Sequence, residues 1–221
     1  MPVGMPEFVE NPTNRCPVVL LLDTSASMSG QPIQELNQGL STFLEDVCQD
    51  EQASLSVELA LVTFGGSPTL INDFQTVDEL VPPKLSAGGN TPMGEAIDYA
   101  LDLLEKRKIN YKDNNIGYYR PWLFLITDGA PNDEARCLEA GQRLQQAESE
   151  RRLSFFAVAV EGAKMEILKQ VASPKQPPLW LNGLDFRSMF LWLSTSMKQV
   201  SSQKIGEAIE LPPVGWGKIS S

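Results

Sequence analysis

Apolar residues along this chain fall into short unbroken runs, separated by stretches in which they recur every three or four positions. Val18–Leu22, Trp122–Ile126 and Phe155–Val160 are continuous rather than alternating, the pattern of a strand covered on both faces. Leu55–Phe64 predicts a fourth strand, with Glu58 near one end. Thr69–Phe74 predicts an edge strand whose Asn72 and Asp73 stay in water, and Leu179–Leu181 a last short strand. In Pro32–Val47, Ile33, Leu36, Leu40, Phe43, Leu44 and Val47 share one helical face. Thr91-Pro92 reads as an N-cap with proline at the first helical position, followed by Met93, Ile97, Ala100, Leu101 and Leu104. Asp133–Arg151 predicts a charged, exposed helix. Asp185 is placed to cap one whose buried stripe is Phe186, Met189, Phe190, Leu193, Met197 and Val200. Buried strands alternating with amphipathic helices predict an α/β fold: a doubly wound, mostly parallel central sheet, one antiparallel edge strand, and helices on both faces.

The length suits one domain with decorations. We expect an N-terminal extension over 1–15, a domain over 16–205 and a tail over 206–221 packed on or trailing from it. The loop from Asn110 to Arg120, with Tyr111, Tyr118 and Tyr119, is expected to pack over a helix end.

Composition narrows the chemistry. With no histidine among the 221 residues, histidine-activated nucleophiles and His-ligated zinc are ruled out within this chain. The three cysteines, Cys16, Cys48 and Cys137, form no C-x-x-C pair, which argues against a thiolate zinc site or a redox motif, and their odd number fits a reducing compartment. A formal net charge of −10 disfavours nucleic acid and anionic membrane surfaces as partners. Residues 1–15 lack a basic segment leading into an apolar one, and no apolar run is long enough to span a bilayer. The expectation is a cytoplasmic protein.

Two of the buried strands run into aspartates at their carboxyl ends, the edge where open α/β sheets bind ligands. Val18–Leu22 leads into Asp23-Thr24-Ser25-Ala26-Ser27, and Trp122–Ile126 into Thr127-Asp128-Gly129. A loop carrying Asp23, Ser25 and Ser27 can turn three oxygens to one point, an inventory suited to a hard cation such as Mg²⁺. The plainer reading is an ordinary turn, in which serines bond to backbone amides and Asp23 caps the next helix.

Asp23-x-Ser25-x-Ser27, Thr91 in Gly88-Gly89-Asn90-Thr91-Pro92, and Asp128 in Thr127-Asp128-Gly129 together resemble the metal-ion-dependent adhesion site (MIDAS) of von Willebrand factor A domains. The resemblance covers nearly the whole chain. It looks closest to bacterial tellurium-resistance proteins of the TerY/YegL type, through Arg15-Cys16-Pro17, Pro32-Ile33-x-Glu35-Leu36-Asn37, Tyr118-Tyr119-Arg120-Pro121-Trp122 and Leu125-Ile126-Thr127-Asp128-Gly129-Ala130-Pro131. A zinc-binding C-terminal extension associated with some of those proteins is missing from this sequence. The resemblance implies that Ser25 and Ser27 bind the metal directly and Thr91 directly or through water. Asp23 and Asp128 would act mostly through bound waters, leaving one position for a Glu or Asp of a partner protein. It implies Mg²⁺, with Mn²⁺ or Ca²⁺ as alternatives. It also implies a non-catalytic interaction module in a bacterial stress setting, with a protein kinase and a PP2C-type phosphatase as partners.

A competing reading makes Asp23 the nucleophile of a Mg²⁺-dependent phosphotransferase. That chemistry wants a second carboxylate two residues on, where this chain has Ser25. No phosphate-binding G-x-x-x-x-G-K-[ST] loop is present.

Overall fold

The sheet that organises the molecule has seven strands in the order β3-β2-β1-β4-β5-β6-β7. The computed structural model describes residues 6–219. The strands are β1 (Cys16–Asp23), β2 (Val57–Gly65), β3 (Ser67–Thr76), β4 (Trp122–Thr127), β5 (Ser154–Ala159), β6 (Leu179–Leu181) and β7 (Gly217–Ile219). The inner strands run parallel; β3 on β2 and β7 on β6 are antiparallel. The expected architecture is present, with a second antiparallel edge strand that residues 217–219 of the tail supply.

The helices are α1 (Pro6–Glu10), α2 (Gln31–Cys48), α3 (Glu51–Ser56), α4 (Met93–Asp113), α5 (Glu134–Ser149), α6 (Met165–Val171) and α7 (Phe186–Ser202). The unbroken apolar runs have a direct cause: alternate residues feed two cores. Val18, Leu20 and Leu22 pack with the apolar stripes of α2 and α7, while Val19 and Leu21 pack with those of α4, α5 and α6. Every residue of β1 is buried.

Several boundaries differ from expectation for physical reasons. Leu55 belongs to α3, whose first turn is capped by Asp50 accepting from the Ala53 amide at 2.8 Å, so β2 begins at Val57. The helix α4 starts at Met93, and Thr91 makes no side-chain cap. Its free amides are bonded instead by Asp133, whose carboxylate accepts from Gly94 N–H at 3.1 Å and Glu95 N–H at 2.9 Å. At its far end α4 runs on to Asp113, which makes Tyr111 helical and fully buried. Asp185 caps α7 as expected, accepting from the Ser188 amide at 3.1 Å. The tail folds back over α7: Trp192 Nε1 donates to Pro212 O at 2.8 Å, and Trp216 packs edge-on against Trp192. Among the described residues no helix is long and apolar enough to cross a membrane.

Candidate metal centre

Parallel pairing explains why the two strand-terminal acids meet. Leu22 of β1 lies opposite Ile126 of β4, so the next residues, Asp23 and Thr127, are level, and Asp128 follows at the rim. Thr127 Oγ1 donates to Asp23 Oδ2 at 2.5 Å, and the Ser25 amide donates to Asp23 Oδ1 at 2.8 Å. Ser27 Oγ donates to Asp128 Oδ1 at 2.7 Å, joining the first loop to the second. Ser27 has spent its one proton there, so Ser25 Oγ, 3.0 Å away, donates to Ser27 Oγ.

Thr91 arrives from the loop before α4. Its carbonyl accepts from the Asn132 amide at 3.1 Å, which ties it to the loop that follows Asp128. A Cβ built on Gly129 would come within 3.0 Å of Thr91 Oγ1 and 3.3 Å of Asp23 Oδ2. Hydrogen bonds thus join Ser25, Ser27 and Asp128, and Thr91 Oγ1 and Asp23 Oδ2 approach each other around Gly129. Asp23, Ser25, Thr91 and Asp128 are buried, whereas Ser27 is exposed at the mouth.

Burial pushes the Asp23 carboxyl above the ordinary aspartate value. Hydrogen bonds from Ser25 and Thr127 offset this in part, and Asp128 adds to the rise. Asp128 is raised too, again chiefly by burial, with the Ser27 hydrogen bond opposing. Among the described residues neither carboxylate forms an ion pair with Lys or Arg. Two neighbouring acids out of water without a counter-charge are relieved by a cation. The donors fit a hard divalent ion: all are oxygens, two are anionic and three are neutral hydroxyls. No three His, Cys, Asp or Glu side chains among the described residues are grouped to hold a metal, so hydroxyls are an essential part of any such ligand set.

Sequence reasoning missed Thr127, which holds Asp23, and Asp133, which anchors the helix behind Thr91. The level pairing of β1 and β4 would have pointed to the first. The second bonds to residues 38 and 39 positions away, with no local signal.

Residues 18–190 match the model of the von Willebrand factor type A domain. The human collagen alpha-6(VI) chain is 25% identical over 180 residues, covering 78% of this chain and 7% of that one. Among solved structures, proximal thread matrix protein 1 from the mussel byssus, with a zinc-occupied MIDAS motif, has a TM-score of 0.57 at 18% identity. The match covers 84% of this chain and 48% of that one. Manganese-loaded TRAP protein of Plasmodium vivax has a TM-score of 0.54 at 21% identity, over 82% of this chain and 73% of that one. This chain thus spans a small part of its collagen relative and about half of the byssus protein. The chain belongs to the von Willebrand factor type A domain family.

Proposed function

We propose that this protein is a non-catalytic interaction module that holds a divalent cation, Mg²⁺ by preference, among Asp23, Ser25, Ser27, Thr91 and Asp128. The observation that carries the reading is the meeting of these oxygens around two buried carboxylates without a basic partner. Mn²⁺ and Ca²⁺ are the alternatives, since both accept oxygen ligands. The zinc and manganese named for two structural relatives favour a divalent ion of some kind. Bound there, the ion supplies a positive centre that attracts a carboxylate of a partner protein. Ser25 and Ser27 offer neutral ligands, and Asp23 and Asp128 hold negative charge close by. Asp23 is poorly placed to be a nucleophile, being fully buried with both carboxylate oxygens engaged by Ser25 and Thr127.

The motifs around Arg15, Pro32 and Tyr118 lead us to place the protein in a cytoplasmic bacterial stress system of the TerY/YegL type. A protein kinase and a PP2C-type phosphatase are its expected partners there. We divide the chain into an extension (1–15), the domain (16–205) and a tail (206–221).

Thermal unfolding with Mg²⁺ or Mn²⁺ against EDTA tests the reading. A ligand of the folded state alone contributes about 2.7 kcal/mol at a hundredfold excess over Kd, enough to raise Tm by several degrees. Ser27→Ala should abolish the rise and leave the apo protein folded. An equal rise in Ser27→Ala would put the metal elsewhere, and Asp23-dependent hydrolysis of a phosphate ester would favour the phosphotransferase.

A further inference from the structure

Away from the metal centre, β3 is one edge of the sheet, and a cleft of about 590 Å³ lies between it and the second half of α4. That volume falls within the range of about 300–1,000 Å³ usual for small-molecule sites. Ile71 and Phe74 of β3 and Leu103 of α4 give the cleft apolar walls, with Asn72, Lys106 and Asn110 beside them. Lys106 is exposed and, among the described residues, forms no ion pair.

Arg107 and Glu7 line the same cleft. The Arg107 side chain is only 7% exposed. Its Nε donates to Glu58 Oε2 at 2.9 Å and its Nη1 to Glu7 Oε1 at 2.8 Å. Its Nη2 is buried and has no acceptor among the described residues. A buried cationic donor left unmatched is a costly state that calls for a cause. The guanidinium is held in place rather than free to turn: the Phe8, Tyr111 and Phe74 rings lie 4.9, 5.2 and 5.5 Å from it. Glu7 fills the position poorly, since its side chain is 40% exposed and it reaches one of the two terminal nitrogens. Nη1 and Nη2 together carry parallel N–H groups that match both oxygens of a single carboxylate.

We propose that the cleft between β3 and α4 is a binding site for a small organic acid, a monocarboxylate on a branched or aromatic carbon skeleton. The carboxylate takes both terminal nitrogens of Arg107 in place of Glu7, and Lys106 adds a second positive charge. The skeleton packs on Ile71, Phe74 and Leu103. Glu7 already borders water, so moving it aside costs little desolvation. Asp73, the remaining acid of the lining, disfavours a second carboxylate on the ligand. None of these residues belongs to the metal centre, so the two sites stand or fall separately.

The probe is phenylacetate, with phenylacetamide as its uncharged twin, titrated into the full-length protein in EDTA and followed by NMR. The acid should shift the amide signals of residues 71–75 and 103–110 and the Arg107 Nε–H signal, and should bind at least tenfold more tightly than the amide. Lys106→Gln, a change at an exposed position, should weaken the acid threefold or more. Glu7→Gln removes the competing carboxylate and should tighten it by a similar factor. Equal binding of acid and amide, or no response of those signals to the acid, overturns the proposal. So does wild-type affinity in both variants. A response to a capped neutral tripeptide but not to the acid would assign the cleft to a protein segment and equally overturn it. With chelator present no ion occupies the strand ends, so each of these outcomes leaves the metal reading untouched.

Discussion

Gly129 is the residue on which the site's chemistry is most finely balanced. It follows Asp128 and has only hydrogen where any other residue carries Cβ, and the space that leaves is bounded by Thr91 Oγ1 at 3.0 Å, Thr91 Cγ2 at 3.2 Å and Asp23 Oδ2 at 3.3 Å. A methyl group there competes with an ion for the same oxygens. Gly129→Ala should therefore abolish the Mg²⁺-induced rise in Tm. Stability of the apo protein should change by less than about 1 kcal/mol, because reduced freedom of the unfolded chain offsets the tight contacts. Denaturant unfolding with and without Mg²⁺ reads both effects, and a retained metal response would show that the ion sits away from Gly129. The five candidate ligands could be picked out in the sequence because Asp23 ends one plain apolar strand, Asp128 directly follows another, and Ser25, Ser27 and Thr91 lie in loops next to elements with clear hydrophobic patterns. Gly129 was legible as part of a motif, but its steric role was not. That role depends on Thr91, which reaches the same point from a different loop.

Elements position these residues through contacts that local pattern does not encode. The two-sided burial of β1, β4 and β5 made them readable as unbroken apolar runs, and the stripe on α7 was equally clear. Leu55 misled because an apolar residue just before a strand looks the same whether it ends a helix or starts the strand. The strand β7 is three residues long, Gly217–Ile219, and only partly covered, so no hydrophobic pattern announces it. The start of α4 was misread because its cap, Asp133, comes from the next helix along the chain. That cap has a consequence. Asp133→Ala removes both acceptors for the Gly94 and Glu95 amides, costing about 1–2 kcal/mol, and frees the Thr91 loop, so Mg²⁺ affinity should fall as well. Asp185→Ala removes a comparable cap from α7 and should cost stability without weakening the metal. Equal metal affinity in the two variants would show that Asp133 acts on the helix alone. A second link between elements is Asp46 of α2, which accepts from Lys198 Nζ at 2.7 Å and Ser194 Oγ at 2.6 Å on α7. Burial raises its carboxyl, but those hydrogen bonds and the Lys198 charge outweigh it and hold the pKa below the ordinary value. A depressed carboxylate stabilises the fold above its unfolded pKa, and that stability is lost as pH falls through the folded pKa. Asp46→Asn should therefore flatten the decline in Tm below about pH 4; an unchanged slope would mean the link is not coupled to folding.

At the scale of the whole molecule, the sheet separates two polar centres by the length of a strand, roughly 25 Å for β1. The candidate metal centre occupies the carboxyl ends of the strands. At the opposite ends, Glu58 at the start of β2 accepts from Arg15 Nε at 2.6 Å, Arg107 Nε at 2.9 Å and the Tyr111 hydroxyl. Arg15 also donates to the carbonyls of Thr13 at 2.5 Å and Asn11 at 2.6 Å, which fastens the N-terminal arm across this end. Burial and the neighbouring Glu58 carboxylate hold the Tyr111 phenol well above its ordinary value. The Arg107 guanidinium lies 4.9 Å from the Phe8 ring and 5.2 Å from the Tyr111 ring, so aromatic faces supplement its ion pairs. Removing the shared negative charge leaves buried Arg15 without its ion pair and Arg107 with Glu7 alone. Glu58→Gln should therefore cost about 3–5 kcal/mol, among the largest single losses available to this fold. Because no part of this cluster belongs to the loops that carry Asp23, Thr91 or Asp128, the folded Glu58→Gln protein should keep its Mg²⁺ affinity. Denaturant unfolding gives the first quantity and Mg²⁺ titration of the native state the second. A loss below about 1 kcal/mol would show that the arginines find other acceptors, and a weakened metal would show that the two ends of the sheet communicate through the strands between them.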